Sequence, residues 1–264
     1  MEEYWLKQST DQPLFPDLLW SRPENKAQAG KLLIVGGNLH GFTAPAGAYS
    51  AAEKAGIGVT RVVLPDKLQK TVGRMFPEAD FAPSTLTGSF AKQALAQLME
   101  DAKWADGVLL AGDFGKNSET AVLLESFLKK YEGISVLSGD SLDYFLESAS
   151  DLLNRQKTAI LADFGRLQAL AKRSRPNPPL THDMGLYELV KALAQWSEEI
   201  EASLITYHQD RVVVATDGKV STTPVKSVNF LELSAYISVW LLQNPSKPFE
   251  AMTSSVYEYL MAGA

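Results

Sequence analysis

The sequence predicts an α/β fold built around a mainly parallel sheet, and three observations carry that expectation. Five short runs, "KLLIVGG", "GVTRVVLP", "DGVLLAG", "GISVLSGD" and "KTAILAD", are rich in β-branched residues, almost unbroken in hydrophobicity, and stop at Gly, Asp or Pro. Strands covered on both faces read this way. Helical patterns at 44–55, 89–104, 118–131 and 166–173 lie between and after these runs. Such alternation implies parallel strands with helices on both sides of the sheet. The pattern then changes: "ASLITYHQDRVVVATDGKVSTTP" (202–224) reads as three strands joined by tight turns, the second at Asp217-Gly218. That predicts an antiparallel edge. Two helices, 229–243 and 248–262, follow on either side of "NPSKP".

Residues 1–30 differ in kind. Trp5, Phe15 and Trp20 stand among Pro13, Pro16 and Pro23 without any period, so the expectation is an arm docked on the body or on a neighbouring subunit, with residues 31–264 as one domain. The 264 residues are 45% hydrophobic, enough for a core that needs neither disulfides nor metal. With no cysteine, a disulfide framework, a zinc-thiolate site and a cysteine nucleophile are excluded. His40, His182 and His208 are too widely spaced to suggest a metal site.

A net charge of −6 and a pI near 5.2 argue against a nucleic-acid surface, and the short basic run "AKRSRP" reads as a helix end. "MEEYWLKQST" lacks the charge and the apolar stretch of a signal peptide. No segment approaches the roughly twenty apolar residues that cross a bilayer. The expectation is a cytoplasmic protein with no membrane partner.

In sheets of this kind ligands bind beyond the carboxyl ends of the strands. In "KLLIVGGNLHGFTAPAG", Gly36, Gly41 and Thr43 have the spacing of a P-loop, but Phe42 stands where its lysine must reach phosphate. Gly36-Gly37-Asn38 also breaks a GxGxxG pattern, so neither nucleotide fingerprint is present. Gly36 and Gly37 suit a turn or a close approach to a ligand, and Ala44, Ala46, Gly47, Ala48, Ala51 and Ala52 suit a helix pressed onto the sheet. In "LLAGDFGKNSET" a Gly112-Asp113-Phe114-Gly115 turn leads to a helix with Ser118 as its expected N-cap. Asp113 either orients a sugar hydroxyl or a magnesium-bound water, or simply forms the turn. In "VLSGDSLDYF", Asp140 or Ser141 is expected to cap the next helix.

Taken together, and from about residue 25 onward, these segments resemble the ADP/ATP-dependent NAD(P)H-hydrate dehydratases of the ribokinase-like superfamily. "KAQAGKLLIVGGNLHGFTAPAGAYSAAEKAGIGVTRVVLP" is similar to that family's opening strand, G-Y-T-G-A loop and following helix and strand. "FPEADFAP" looks like its P-E-x-M segment, and "NPSKPFEAMTSSVYEYLMAGA" is close to its D-P-F-E-A-A-x-x-G-V-Y closing helix. The resemblance implies a three-layer α/β/α ribokinase-like fold, ATP or ADP with magnesium as cofactor, a nucleotide or NAD(P)H-like ligand, and homo-oligomers. It also implies that Gly36, Gly37, Asn38, Thr43, Asp113, Gly115 and Asp140 hold the substrate.

The departures bear on catalysis. Of G-P-G-L-G only Gly115 is kept, with Asp113 at its middle glycine; of D-A-D the first aspartate is Ser138 and the second is Asp140. "ADFGRL" replaces P-H-P-G-E, and "ITYHQD" has no counterpart of the K-G pair. Where the family has G-G-T-G-D, "TTPVKSVNF" has no glycine and places Asn229 at the catalytic aspartate. An amide cannot accept the substrate proton, and Val225 and Val228 cannot take up the φ > 0 geometry of an anion-binding nest. Each such loss costs about 10²–10³ in rate. The expectation is therefore a family member with catalysis impaired or lost, Glu232 being the candidate substitute base three residues beyond Asn229. The alternative is a non-catalytic nucleotide-binding or assembly protein that retains the fold.

Overall fold

The computed structural model describes residues 3–263, so the first two residues of the expected arm lie outside it. Among the described residues, the strands are β1 (Trp5–Lys7), β2 (Lys31–Gly36), β3 (Val59–Pro65), β4 (Ala79–Ala82), β5 (Gly107–Gly112), β6 (Ile134–Ser138), β7 (Thr158–Leu161), β8 (Ser203–His208), β9 (Arg211–Thr216) and β10 (Lys219–Pro224). They form one sheet in the order β1-β10-β9-β8-β7-β6-β5-β2-β3-β4. Every pairing from β8 across to β4 is parallel. β9 is antiparallel to both neighbours, as expected of the C-terminal edge. The strand order reverses between β2 and β5, which makes that gap the topological switch point where a crevice opens.

The helices are α1 (Pro16–Trp20), α2 (Thr43–Lys54), α3 (Gln69–Val72), α4 (Leu95–Trp104), α5 (Ser118–Lys130), α6 (Ala149–Leu153), α7 (Phe164–Ser174), α8 (Leu186–Glu199), α9 (Phe230–Gln243) and α10 (Pro248–Gly263). Alternate strand residues point to opposite faces, and each face has its own core. Leu33, Val35, Leu110 and Leu137 pack with the residues of α4 to α8. Leu32, Ile34, Leu109 and Val136 pack with α1, α2, α9 and α10. The result is the three-layer architecture. Every residue of α9 from Leu233 to Leu241 is buried, because α9 lies between α2 and α10 above β5 and β6. The small residues of α2 make this possible: a Cβ at Gly47 would stand 2.8 Å from the Leu231 side chain on α9.

The structure differs from the sequence expectation in several places. α8 was not among the expected helices, although its apolar face is fully buried. The helix expected over 89–104 is α-helical only from Leu95, because Phe90 pairs with Ser84 in a β-bridge and fills the core. The N-cap of α5 is Asn117 instead of Ser118: its side-chain oxygen accepts from Glu119 N at 2.8 Å and Thr120 N at 3.3 Å. Among the described residues, no helix is long and apolar enough to cross a membrane.

The N-terminal segment adds its strand to the sheet. β1 pairs in parallel with β10, and the Trp5 indole donates to Thr222 Oγ1 at 3.0 Å. Phe15 meets Phe249 edge to face at 6.1 Å, whereas Trp20 is 87% exposed. Gln8, 2% exposed, fastens the segment: its amide donates to Thr223 Oγ1 at 3.1 Å and to the Thr253 carbonyl at 3.0 Å, and its oxygen accepts from Leu14 N at 3.1 Å.

Gln8→Ala removes three hydrogen bonds and takes the Gln8 donor from the buried Thr223 Oγ1, at a cost of about 1–3 kcal/mol. For a chain of this size each kcal/mol moves Tm by roughly 2–4 °C. A thermal melt is expected to fall by about that much per kcal/mol lost; a Tm unchanged within a degree shows that Gln8 does not hold the segment down.

Candidate active site at the strand ends

The site begins where β2 and β5 end. Their register shifts between Val35 and Gly36, and Gly37 N donates to the Gly112 carbonyl at 2.9 Å. The approach is so close that a Cβ at Gly36 would lie 2.5 Å from the Gly112 oxygen. Any side chain there would push the two loops apart.

Beyond Gly112 the chain turns through Asp113, whose φ of 60° lies in the left-handed region. Aspartate is one of the few non-glycine residues that tolerates that conformation. Its placement has a consequence for α2. Phe42, at the N-cap of α2, has no side-chain acceptor, and Asp113 supplies one from across the gap: its Oδ2 accepts from Ala44 N at 2.7 Å. The Asn38 amide donates to the Asp113 carbonyl at 2.6 Å, tying the loop after β2 to the loop after β5.

Asp140 supports the same turn from below. Its two oxygens accept from Phe114 N at 3.4 Å and Gly115 N at 3.2 Å. Burial pushes its carboxyl above the ordinary carboxylate range; the two backbone N–H groups oppose that shift, while the charges of Asp113 and Asp143 add to it. Gly112 leaves the necessary room, since a Cβ there would meet Asp140 Oδ1 at 3.1 Å. The Tyr144 hydroxyl donates to the Gly115 carbonyl and completes the frame. Neither Asp140 nor Ser141 caps a helix as expected. Asp140 reaches across to the neighbouring loop, and Ser141 Oγ donates to the Ser138 carbonyl at 2.6 Å.

Above this frame lies a cleft of ≈ 400 Å³ whose lining includes Ala44, Gly112, Asp113, Ser138, Asp140 and Asn229. Asn229 is the N-cap of α9: its side-chain oxygen accepts from Leu231 N at 3.1 Å, and its backbone N donates to the Tyr259 hydroxyl at 3.0 Å. The structure therefore unites Asp113, Asp140 and Asn229 around one space. Gly36, Gly37, Asn38 and Gly115 build the loops beneath it. Thr43, exposed at the head of α2, is not in its lining, and Glu232 faces a different groove between α2, α9 and α10. Sequence reasoning missed the cap that Asp113 provides to α2, because nothing local to residues 42–44 signals a partner 69 positions away.

No protein-family model matches the chain. Among curated proteins it is similar to bifunctional NAD(P)H-hydrate repair enzymes. It is 22% identical over 157 residues to that of Dictyoglomus turgidum, covering 58% of this chain and 30% of the relative. It is 32% identical over 119 residues to that of Methanocaldococcus jannaschii, covering 45% of this chain and 23% of the relative. The matched stretches thus span less than a third of those relatives' own length. Among solved structures, a ribokinase-like superfamily protein from Enterococcus faecalis superposes with a TM-score of 0.73 at 16% identity, covering 100% of this chain and 89% of that one.

The ADP/ATP-dependent NAD(P)H-hydrate dehydratase from Bacillus subtilis, co-crystallised with ATP and Mg²⁺, superposes with a TM-score of 0.61 at 12% identity, covering 93% of this chain and 86% of that one. The chain shares the ribokinase-like fold of these structures and is similar, over about half its length, to NAD(P)H-hydrate repair enzymes.

The G-P-G-L-G turn that the sequence resembles has a glycine where the chain has Asp113. The left-handed φ shows that the substitution keeps the glycine-like backbone and adds a helix cap. Asp113→Ala removes the cap, at about 0.5–2 kcal/mol, and strains a Cβ-bearing residue that has no side chain to compensate, at roughly 1 kcal/mol more. Asp113→Asn keeps an acceptor and tolerates the turn. Urea unfolding is expected to rank Ala well below Asn, with Asn within about 1 kcal/mol of the native chain. Equal stability of the two variants contradicts the capping role.

Proposed function

We propose that this chain keeps the ligand cleft of a nicotinamide-cofactor repair protein and has lost, or retains only weakly, ATP-driven dehydration. The observation that carries this reading is the state of Asn229. At the family's general-base position it is a neutral amide whose oxygen is already engaged by Leu231 N. It has no lone pair basic enough to take a proton near neutral pH.

The residues present do not fit a transferring triphosphate. The lining holds Asp113 and Asp140 and no lysine or arginine, so its charge opposes polyphosphate. The segment from Thr222 to Asn229 has no glycine to form a backbone N–H nest. Two carboxylates suit magnesium only when substrate phosphates and waters complete its shell, and among the described residues no group of three or more acidic, histidine or cysteine side chains is placed to hold a metal. No step through ATP is therefore derived for this cleft.

Its own groups suit a different task. Carboxylates accept hydrogen bonds from hydroxyl and amide donors, which a ribose or a carboxamide offers. Ala44, Phe230 and Leu231 supply the apolar part of the wall. The reading is a cleft that binds a nucleoside-like or nicotinamide-cofactor-like molecule with little or no turnover. A relocated base would be Asp140, which faces the cleft with a raised pKa, and not Glu232, which does not line it.

The test is dehydration of NADH hydrate with magnesium and ATP or ADP, followed by return of the reduced-nicotinamide absorbance. The expected result is no turnover above the uncatalysed rate, and no recovery in Asn229→Asp, because the phosphate cradle is still missing. Turnover near the 1–10³ s⁻¹ typical of enzymes (about 10 s⁻¹ at the median) sinks the reading, and its loss in Asp140→Asn would identify the base.

A further inference from the structure

A second concavity, of ≈ 380 Å³, lies on the outer side of the helical layer between α2, α9 and α10. It shares no lining residue with the strand-end cleft. Its chemistry differs from the cleft's. Lys54 and Glu232 bring one charge of each sign, Ser50 and Ser227 add hydroxyls, and Tyr236 and Tyr259 line it as an edge-to-face pair with centroids 5.7 Å apart. Gly47 and the buried Ala51 contribute the small residues of α2 to its lining. A groove lined by tyrosines, with hydrogen-bond donors and acceptors beside them, is complementary to a planar ring that carries both hydrogen-bonding types.

We propose that this groove is a second small-molecule site, which takes a planar heteroaromatic ring of the purine or carboxamide-pyridine class, and that its occupancy is transmitted to Asn229. The groove's balanced charge selects a neutral ring over a polyphosphate. Transmission runs through one residue: the Tyr259 hydroxyl accepts from Asn229 N at 3.0 Å, and Tyr259 is also in the lining of the groove. A ring settling against Tyr259 therefore acts on the N-cap of α9, which is also a wall of the strand-end cleft. The inference rests on the groove's own lining and stands whether or not the chain dehydrates NADH hydrate.

The experiment is a titration of free adenine into the ¹⁵N-labelled full chain, read by amide chemical shifts. The expected result is saturable shifts at Gly47, Ser50, Ser227 and Tyr259, together with Asn229. Ser50 is exposed on α2, so Ser50→Trp fills the groove without disturbing the core and is expected to abolish these shifts while the rest of the spectrum is unchanged. Tyr259→Phe keeps the ring and is expected to bind within about threefold of the native affinity, roughly half of one tenfold step in Kd, with the Asn229 response gone. No saturable shifts up to millimolar adenine, shifts centred on Gly112 to Gly115, or shifts that persist in Ser50→Trp overturn the site. An undiminished Asn229 response in Tyr259→Phe overturns the transmission.

Discussion

The near-contact of two backbones, Gly36 against Gly112, governs the shape of the site. At the switch point β2 and β5 end side by side, and the Gly112 carbonyl takes the amide of Gly37. With no Cβ on either strand end, Gly112 can turn at a φ of 113° and hand the chain to Asp113 in the left-handed region. That turn aims the Asp113 carboxylate at the first turn of α2 and leaves beneath Gly112 the space that Asp140 fills. The cap on α2, the tether through Asn38 and the amides held by Asp140 all depend on this one approach.

A tension follows from placing two carboxylates so near each other. Each is held by backbone N–H donors, so the frame of the cleft relies on negative charge, which opposes a phosphate that arrives without a cation. Asp140 shows the cost in its raised pKa, with burial as the main cause and Asp113 contributing. A site that must bind a triphosphate normally faces it with cations or free N–H groups. Here the amides nearest the carboxylates, Ala44 N, Phe114 N and Gly115 N, are already used to hold loops together. The same groups cannot serve as scaffold and as phosphate grip.

Much of the fold was legible in the sequence because its strands are buried on both faces and end at turn residues; the five central parallel strands were each visible as a run. What was missed follows from weak local signals. β1 and β4 are too short to show a period, and Phe90 lies in a helical pattern yet is drawn into the core through a bridge to Ser84. At the site, Asp113, Asp140 and Asn229 were identified as candidates, and the structure gathers them in one lining. Their hydrogen-bond partners were not legible, because each partner is on another loop. Asp140 looked like a cap because it precedes a helix; in space, the amides of the loop after β5 are its nearest donors. Glu232 looked equivalent to Asn229 by helical spacing, but Asn229 caps α9 from outside the helix, and the first turn carries Glu232 round to the groove beside α10.

On the proposed reading, the strand-end cleft does not hold a nucleoside triphosphate. Calorimetric titration of Mg·ATP into the purified chain tests it most directly. No saturable heat is expected below about 1 mM, an affinity no better than about −4 kcal/mol. Magnesium-dependent binding at micromolar concentration that disappears in Asp140→Asn would contradict it.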